Sequence, residues 1–241
     1  MEWHALYDKI KPYTIKIDSE TGFGTGFLFA YNKNEEIAAI ATAAHVVKDI
    51  NEWRKPLKLI HYQSKTEVFL TADMRAIWID PERDTATIII NAKVLPLPKE
   101  TLPLLRPTHY IKIGVEVGWT GFPAIAPYNL CFFSGKISFF LENPHSYLID
   151  GVAINGVSGG PVFRNLIDTP EIIGIVSAYR PNRRPTDTLP GLLIAQDVTS
   201  VHKHLAHIKN LDEAKEEEEK QKKTESENNA SKKSDNENNS S

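Results

Sequence analysis

The sequence has 241 residues, of which 41% are hydrophobic and 24% are charged. This balance excludes a fully disordered chain and provides enough apolar residues for one or two core-forming units. The formal net charge is −3, and residues 211–241 alone carry ten Asp or Glu against six Lys. The rest of the chain is therefore nearly neutral, which gives no support for a nucleic-acid partner.

The single cysteine, Cys131, excludes an internal disulfide. Chains without disulfides are typical of reducing compartments, so we expect a cytoplasmic location. No signal peptide is recognisable at the N-terminus, and no apolar run reaches membrane-spanning length. We therefore expect no membrane partner.

The first half of the chain predicts short β-strands separated by polar turns. Residues 11–19 predict an edge strand, and residues 21–29 alternate Gly with Phe and Thr, as in a strand that other backbone approaches closely. The glycine spacing of a dinucleotide-binding loop is absent, so no cofactor is predicted. Further strands are predicted at residues 36–42, 57–62, 66–71, 74–79 and 85–90.

The second half begins after a proline-rich crossover at residues 91–110. Proline cannot donate to a central ladder, so this segment separates two strand-rich units. Many short strands with Gly, Pro and Asn turns favour barrels or sandwiches. The predicted strands lie at residues 115–123, 130–138, 146–154, 162–164, 171–179 and 191–197.

One helix is predicted, at residues 198–209, and it closes the folded part. Residues 211–241 contain few apolar side chains and cannot bury enough surface to offset the entropy of ordering. They predict a disordered charged tail, in which residues 212–223 can form a transient helix.

The stretch that carries most chemical information is residues 155–161, NGVSGGP. Glycines on both sides of Ser158 permit a sharp bend that exposes the hydroxyl and turns backbone N–H groups inward. Such amides can stabilise an oxyanion. A serine hydroxyl is a weak nucleophile by itself, so another segment must supply a base.

Candidate partners occur in the first half. His45 follows the small residues 43–44, which leave its ring room to reach a neighbouring element. Asp80 and Asp84 both lie in the turn before the strand at residues 85–90, and either can orient a histidine. Taken alone, His45 fits a histidine packed at a strand end better than a catalytic one, and either aspartate can be a turn residue that bonds its own backbone.

Four motifs together resemble the trypsin-like (chymotrypsin-fold, S1) serine peptidases. They are TAAH at residues 42–45, DTA at 84–86, GVSGGP at 156–161 and the glycine-rich GTGFL at 24–28. The last is most similar to the disulfide-free bacterial branch related to the HtrA peptidases. The order His, Asp, Ser also matches the family.

The resemblance implies an all-β fold of two six-stranded antiparallel barrels with a C-terminal α-helix, in a peptidase domain at residues 1–210. Barrel one would span about residues 11–95 and barrel two about residues 111–197, with the crossover at 91–110. The active site would lie in the cleft between them.

The same resemblance implies the roles. Ser158 would be the nucleophile, His45 the general base and Asp84 the residue that orients the ring. The amides of Gly156 and Ser158 would form the oxyanion hole, and no metal would be needed. The strand containing Ser177, Ala178 and Tyr179 would pair with the substrate backbone.

Three departures from the family pattern change what is expected. Val157 stands where the digestive enzymes have an aspartate that pairs with a newly formed N-terminus, so zymogen-type activation is not expected. Val152, followed by Ala153, stands where trypsin has an acid, so we expect a small or apolar residue before the scissile bond (the P1 residue). Asp150, two residues earlier, would undermine this if the loop is displaced. No PDZ-like segment follows the predicted helix, so regulation by such a domain is not carried over.

Two alternatives stay open at the level of sequence. A two-barrel domain without catalytic activity could bind a peptide or protein, and an esterase could use the same groups. Other candidate sites are weaker. The sequence around His202, His204 and His207 lacks the further ligands of a metal site. The basic segment that contains Arg180, Arg183 and Arg184 is predicted to be an exposed loop without a binding role.

Overall fold

Thirteen strands and three α-helices lie within the described residues 2–152, 154–180 and 192–238 of the computed structural model. The strands are β1 (Thr14–Ser19), β2 (Gly22–Tyr31), β3 (Ile37–Ala43), β4 (Leu57–His61), β5 (Glu67–Leu70), β6 (Arg75–Asp80), β7 (Thr85–Asn91), β8 (Glu116–Gly121), β9 (Cys131–Glu142), β10 (His145–Asp150), β11 (Pro161–Leu166), β12 (Thr169–Arg180) and β13 (Leu192–Asp197). The helices are α1 (Trp3–Ile10), α2 (Ala44–Glu52) and α3 (Thr199–Asn238), and short 3₁₀ turns occur at Lys11–Tyr13 and Ala92–Val94. The chain divides into two compact units, Met1–His204 and Leu205–Ser241.

The front lobe is a seven-stranded antiparallel sheet with the order β5-β4-β1-β2-β3-β7-β6. β1 lies between β2 and β4, so the prediction of an edge strand at residues 11–19 was wrong. The polar residues of that segment suggested an exposed edge. Lys16 is nevertheless buried, because the rings of Phe23 and Tyr128 lie against its ammonium group.

The front lobe also differs from the six-stranded barrel that the resemblance implied. It has seven strands, and no pairing between the outer strands β5 and β6 closes it in the part of the chain that the structure describes. A side chain links the two outer strands instead of backbone pairing. The Arg75 guanidinium of β6 donates to the carbonyl oxygen of Leu70 in β5 over 2.6 Å and to that of Lys55. The sheet therefore curls around its core without a continuous ring of backbone hydrogen bonds. The buried residues of this core are Ile15, Ile17, Leu28, Ala38, Ile40, Val47, Ile50, Leu57, Leu59, Leu70, Ala86, Ile88, Ile90 and Leu95.

The rear lobe is a closed six-stranded barrel with the order β10-β13-β12-β11-β8-β9, in agreement with the sequence-based expectation. Its interior contains fully buried aromatic side chains, among them Trp119, Tyr147 and Phe163. The crossover is attached to this barrel, because Leu105 N–H donates to the carbonyl of Ile172 and Ile172 N–H donates to that of Pro103, each over 2.8 Å. The predicted separation into two strand-rich lobes therefore holds, although only one of them is closed.

The helices differ more from expectation than the strands do. Neither α1 nor α2 is predicted from the sequence, because each is short and joined directly to a strand or 3₁₀ turn. α3 begins at Thr199, where Asp197 accepts hydrogen bonds from the backbone N–H and the hydroxyl of that residue. It continues past residue 209 to Asn238, which fits the high helix propensity of its Ala, Glu, Gln and Lys residues. Flexibility of residues 211–241 stays a prediction.

None of the helices in the described ranges is both long enough and apolar enough to cross a membrane.

Candidate active site

His45 lies in the first turn of α2, immediately after β3 ends. Val47 and Ile50 of α2 are buried in the front-lobe core, whereas the imidazole ring lies on another side of the helix and is half exposed. The start of the helix is attached to the β6–β7 turn, because Ala44 N–H donates to the carbonyl of Asp84 over 3.1 Å. The sheet and the helix together therefore present the ring at the surface of the lobe.

Asp84 ends the β6–β7 turn with a positive φ of 46°, a conformation that Asp tolerates better than most residues. Its Oδ2 lies 2.8 Å from His45 Nδ1, and its Oδ1 accepts from the backbone N–H of His45 over 3.0 Å. The hydroxyl of Ser177 also donates to Oδ2. Because a carboxylate only accepts, Nδ1 carries the ring proton and Nε2 is left as an acceptor in the neutral ring.

The pair shifts both pKa values in the sense required of an acid–base couple. The hydrogen bond to Asp84 raises the pKa of His45 above 6.5, although burial acts to lower it. Burial raises the pKa of Asp84, but the hydrogen bonds from His45 and Ser177 outweigh it and hold the pKa below 3.8. The carboxylate therefore stays ionised and stabilises a protonated ring.

Ser158 lies in the glycine-rich turn before β11. Its Oγ donates to the carbonyl oxygen of Ser177 over 3.2 Å, and its own carbonyl accepts from Thr25 N–H over 2.8 Å. No hydrogen bond joins Ser158 Oγ to His45 among the described residues. Both residues nevertheless line the same two cavities.

The amides of Gly156 and Ser158 make no hydrogen bond within the described part of the chain. Their directions follow from their neighbours, since N–H and C=O point opposite ways in a trans peptide. The carbonyl of Asn155 accepts from Ala124 N–H over 2.7 Å, which turns the Gly156 N–H away from Ala124. The carbonyl of Val157 accepts from Gly160 N–H over 3.0 Å, which fixes the N–H of Ser158 in the same manner.

Two cavities meet at Ser158. The β12-side cavity has a volume of about 340 Å³ and is lined by His45, Ile154, Asn155, Ser158, Val176, Ser177 and Ala178. The hairpin-side cavity has a volume of about 280 Å³ and is lined by Ser19, Thr21, Gly22, Phe23, His45, Val46, Asp49, Asn155, Gly156 and Ser158. Ser158 therefore lies between two recesses.

The predicted substrate-binding residues are placed unequally. Ser177 and Ala178 line the β12-side cavity. Tyr179 lies on β12, and its side chain is outside the described part of the structure. Val152 is half exposed and is not among the described lining residues, and Ala153 lies outside the described residues.

Several lining residues are missed by the sequence reasoning. Ile154 and Val176 supply apolar surface to the β12-side cavity, and Asp49 supplies a carboxylate to the hairpin-side cavity. Asp49 follows His45 by four residues on α2, a spacing that places both on one face, so a prediction of the helix would have found it. Ile154 and Val176 carry no local signal that separates them from ordinary core residues.

The alternative acid, Asp80, has other partners. Its carboxylate accepts from Arg83 Nη1 over 3.3 Å and from the hydroxyl of Ser200 over 2.9 Å. It joins the turn to the first residues of α3, while Asp84 holds His45. Of the two aspartates that the sequence left open, the geometry therefore supports Asp84 as the residue that orients His45.

The remaining candidates serve structural contacts. His202 Nε2 lies 2.7 Å from the carbonyl of Leu105, and His204 Nδ1 lies 2.7 Å from the hydroxyl of Thr87. No cluster of three or more His, Cys, Asp or Glu that could hold a metal occurs among the described residues.

Arg183 and Arg184 lie outside the described ranges. Val157 is buried, and its side chain lies against the backbone of Gly121.

Comparison with known structures identifies the fold. The serine endoprotease from Yersinia pestis matches with a TM-score of 0.65 and 18% sequence identity, over 86% of this chain and 66% of that chain. An inactive serine-to-alanine form of Rv3671c from M. tuberculosis H37Rv matches with a TM-score of 0.60 and 19% identity, over 85% and 89% of the two chains. Deg5 gives a TM-score of 0.60 at 19% identity, over 84% and 94%.

The chain thus has the chymotrypsin-like fold, and its structure is similar to those of HtrA- and Deg-type trypsin-like serine proteases. No family model and no curated protein matches the sequence.

Proposed function

We propose that this protein is a serine endopeptidase that acts through an acyl-enzyme intermediate. The observation that carries the proposal is the bond between His45 Nδ1 and Asp84, made beside a cavity that also contains Ser158. This bond supports His45 as the general base, because the Asp84 carboxylate orients the ring and leaves Nε2 able to accept a proton.

The chemistry follows from the placement of these groups. Nε2 of His45 removes the proton from Ser158 as Oγ attacks a peptide carbonyl, and it later gives that proton to the departing amine. The amides of Gly156 and Ser158 bind the oxyanion, and removal of one such donor typically costs about a hundred- to a thousandfold in rate. Water then hydrolyses the ester by the same route. The substrate class is protein or peptide.

A fluorophosphonate probe tests the proposal directly. We expect wild-type protein to be labelled at Ser158 and the Ser158→Ala variant to be unlabelled. Ser134→Ala, which removes an exposed hydroxyl on β9, is the matched control and should be labelled like wild type. An unlabelled wild-type protein whose fold is intact would reject the peptidase assignment.

We further propose a preference for a small or apolar residue before the scissile bond. Ile154, Val176 and Ala178 in the β12-side cavity favour such a residue, and an unpaired cation would be costly against that surface. Asp150 is exposed and is not among the described lining residues. Cleavage of a peptide library after Val or Ala should exceed cleavage after Arg, and a strong Arg preference would contradict this.

A catalytically silent binding domain is the second candidate. The observation that favours it is the bond from Ser158 Oγ to the carbonyl of Ser177, because the hydroxyl proton is given to a backbone acceptor and not to His45. A silent domain would bind peptides in the same cleft without reacting with the probe. Labelling at Ser158 therefore separates the two candidates.

Two further expectations belong to this proposal. The lone Cys131 supports a cytoplasmic location, because no disulfide needs an oxidising compartment. The buried apolar side chain of Val157 supports activity without zymogen-type cleavage, because it cannot accept a bond from an N-terminal ammonium group.

A further inference from the structure

Thr25 of β2 connects the front lobe to the glycine-rich turn of the rear lobe. It is fully buried, and its backbone N–H donates to the carbonyl of Ser158 over 2.8 Å. Its hydroxyl donates to the carbonyl of Gly156 over 2.8 Å and accepts from the N–H of Phe122 over 3.1 Å. One side chain thus joins the turn to the segment that follows β8.

These bonds belong to a set that fixes three consecutive peptide groups. The carbonyl of Asn155 is held by Ala124 N–H, that of Gly156 by the Thr25 hydroxyl, and that of Val157 by Gly160 N–H. Of these three donors, only that of Thr25 is a side chain. The middle peptide lies between the two whose N–H groups point toward the proposed oxyanion, so its rotation would disturb both.

Gly156 needs this support because it has no side chain to restrain it. Its φ is +91°, and a Cβ atom at this position would lie 2.3 Å from the carbonyl oxygen of Phe122 and 2.4 Å from Phe23 Cε2. Only glycine fits, and glycine is also the residue most free to rotate. Hydrogen bonds to the neighbouring carbonyls are therefore what holds the Gly156 amide in place.

We propose that Thr25 is a positioning residue for the oxyanion hole, and this inference rests on the proposed peptidase function. Its hydroxyl couples the Phe122–Ala124 segment to Gly156. The same segment also binds the carbonyl of Asn155 through Ala124 N–H. Without the hydroxyl, the Gly156–Val157 peptide loses the bond to its carbonyl and keeps, among the described residues, the bond from its N–H to the carbonyl of Ile154 over 3.1 Å. Its carbonyl can then tilt, which would shift the adjacent N–H groups of Gly156 and Ser158 away from the oxyanion.

The test compares Thr25→Val with Thr25→Ser. We expect Thr25→Val to lower both kcat and the rate of fluorophosphonate labelling by about tenfold to a hundredfold, approaching the loss of a whole oxyanion donor. KM should change less than about twofold, because the substrate ground state is not bound there. Thr25→Ser keeps the hydroxyl and should retain activity within about threefold.

Thr14→Val is the matched control, since Thr14 is an equally buried threonine in the same sheet whose hydroxyl donates to the carbonyl of Ile10 over 3.2 Å, away from the glycine-rich turn. Its activity should stay within about twofold of wild type. If Thr25→Val does not fold, Thr25→Ala takes its place in the same comparison. Equal activities of folded Thr25→Val and wild type would overturn the inference.

Hydrogen exchange supplies a readout that does not need activity. In Thr25→Val, amides of residues 155–160 should exchange about tenfold faster than in Thr25→Ser or wild type. If the wild-type protein is not labelled by the probe, the peptidase assignment is wrong. If the exchange rates of these amides are the same in Thr25→Val as in wild type, the positioning role of Thr25 is wrong. The two failures are therefore distinguishable.

Discussion

The two lobes hold their parts of the site in different ways. In the front lobe, the Asp84 carboxylate contacts the ring nitrogen of His45, its backbone N–H and the hydroxyl of Ser177. In the rear lobe, several bonds hold the backbone around Ser158, while its hydroxyl donates to the carbonyl of Ser177. The ring of His45 is thus already bonded to a carboxylate, whereas the hydroxyl of Ser158 is bonded to a backbone carbonyl. Ser177 contacts both halves.

The largest effect is expected when the chemical groups of the two lobes are removed, first one at a time and then together. If His45 and Ser158 act as one unit, His45→Ala and Ser158→Ala should each lower kcat by about a millionfold. The double variant should be little worse than either single one, because neither residue works alone. Steady-state kinetics on a peptide substrate would measure this. Effects that multiply would indicate two independent contributions.

The second prediction separates the two aspartates of the front lobe. Asp84→Asn should lower kcat by about ten-thousandfold, because the amide cannot hold the productive ring tautomer of His45. Asp80→Asn is the matched control. Its partners are Arg83 and Ser200, so kcat of the folded variant should stay within about threefold. A larger loss in Asp80→Asn than in Asp84→Asn would reverse the assignment.

The third prediction concerns the contact between the lobes rather than the reacting groups. Gly159 and Gly114 share a φ of +86°, yet a Cβ at Gly159 would lie 2.0 Å from the carbonyl oxygen of Thr25, while nothing lies within 4 Å at Gly114. Gly114→Ala should lower the unfolding free energy by about 1–2 kcal/mol through backbone conformation alone. Gly159→Ala should cost about 4 kcal/mol or more.

Denaturant unfolding of the two glycine variants would measure the difference. Similar costs at the two positions would show that the lobes are not in close contact at Gly159.

The smallest effect expected is a displacement along the pH axis. The bond to Asp84 raises the pKa of His45, so kcat/KM should increase with pH to a plateau, with a midpoint above 6.5. In Asp84→Asn the midpoint should move to lower pH, because the charged partner is lost. An unmoved midpoint would mean that another group controls the profile.

The same pKa shift predicts how stability depends on pH. Because the folded-state pKa of His45 is raised above 6.5, its contribution to stability is complete below pH 6.5 and is lost as the pH rises from 6.5 through the folded-state pKa. The unfolding free energy of wild type relative to His45→Gln should therefore fall as pH rises above 6.5. His61 provides the opposite case, because burial lowers its pKa. Its neutral form is favoured in the folded state, so the unfolding free energy should decrease as pH falls below 6.5.

Much of the fold follows from patterns that act over a few residues. Apolar runs separated by Gly, Pro and Asn turns locate most of the strands, and the prolines of residues 91–110 locate the crossover. The edges of the sheet do not follow from such patterns. The front lobe is open because its outer strands β5 and β6 do not pair in the stretches that the structure describes, and Arg75 of β6 bonds the carbonyl of Leu70 in β5 instead. Neither feature produces a periodic pattern in the sequence.

The same division applies to the site. The candidate reactive side chains follow from the sequence, because the motif NGVSGGP, the histidine at residue 45 and the aspartates at 80 and 84 are local features. Only the tertiary structure decided which aspartate contacts His45, which residues line the cavities, and that Thr25 bonds the glycine-rich turn. Those contacts join residues far apart in the chain, and a local pattern carries no information about which distant backbone group a side chain will meet.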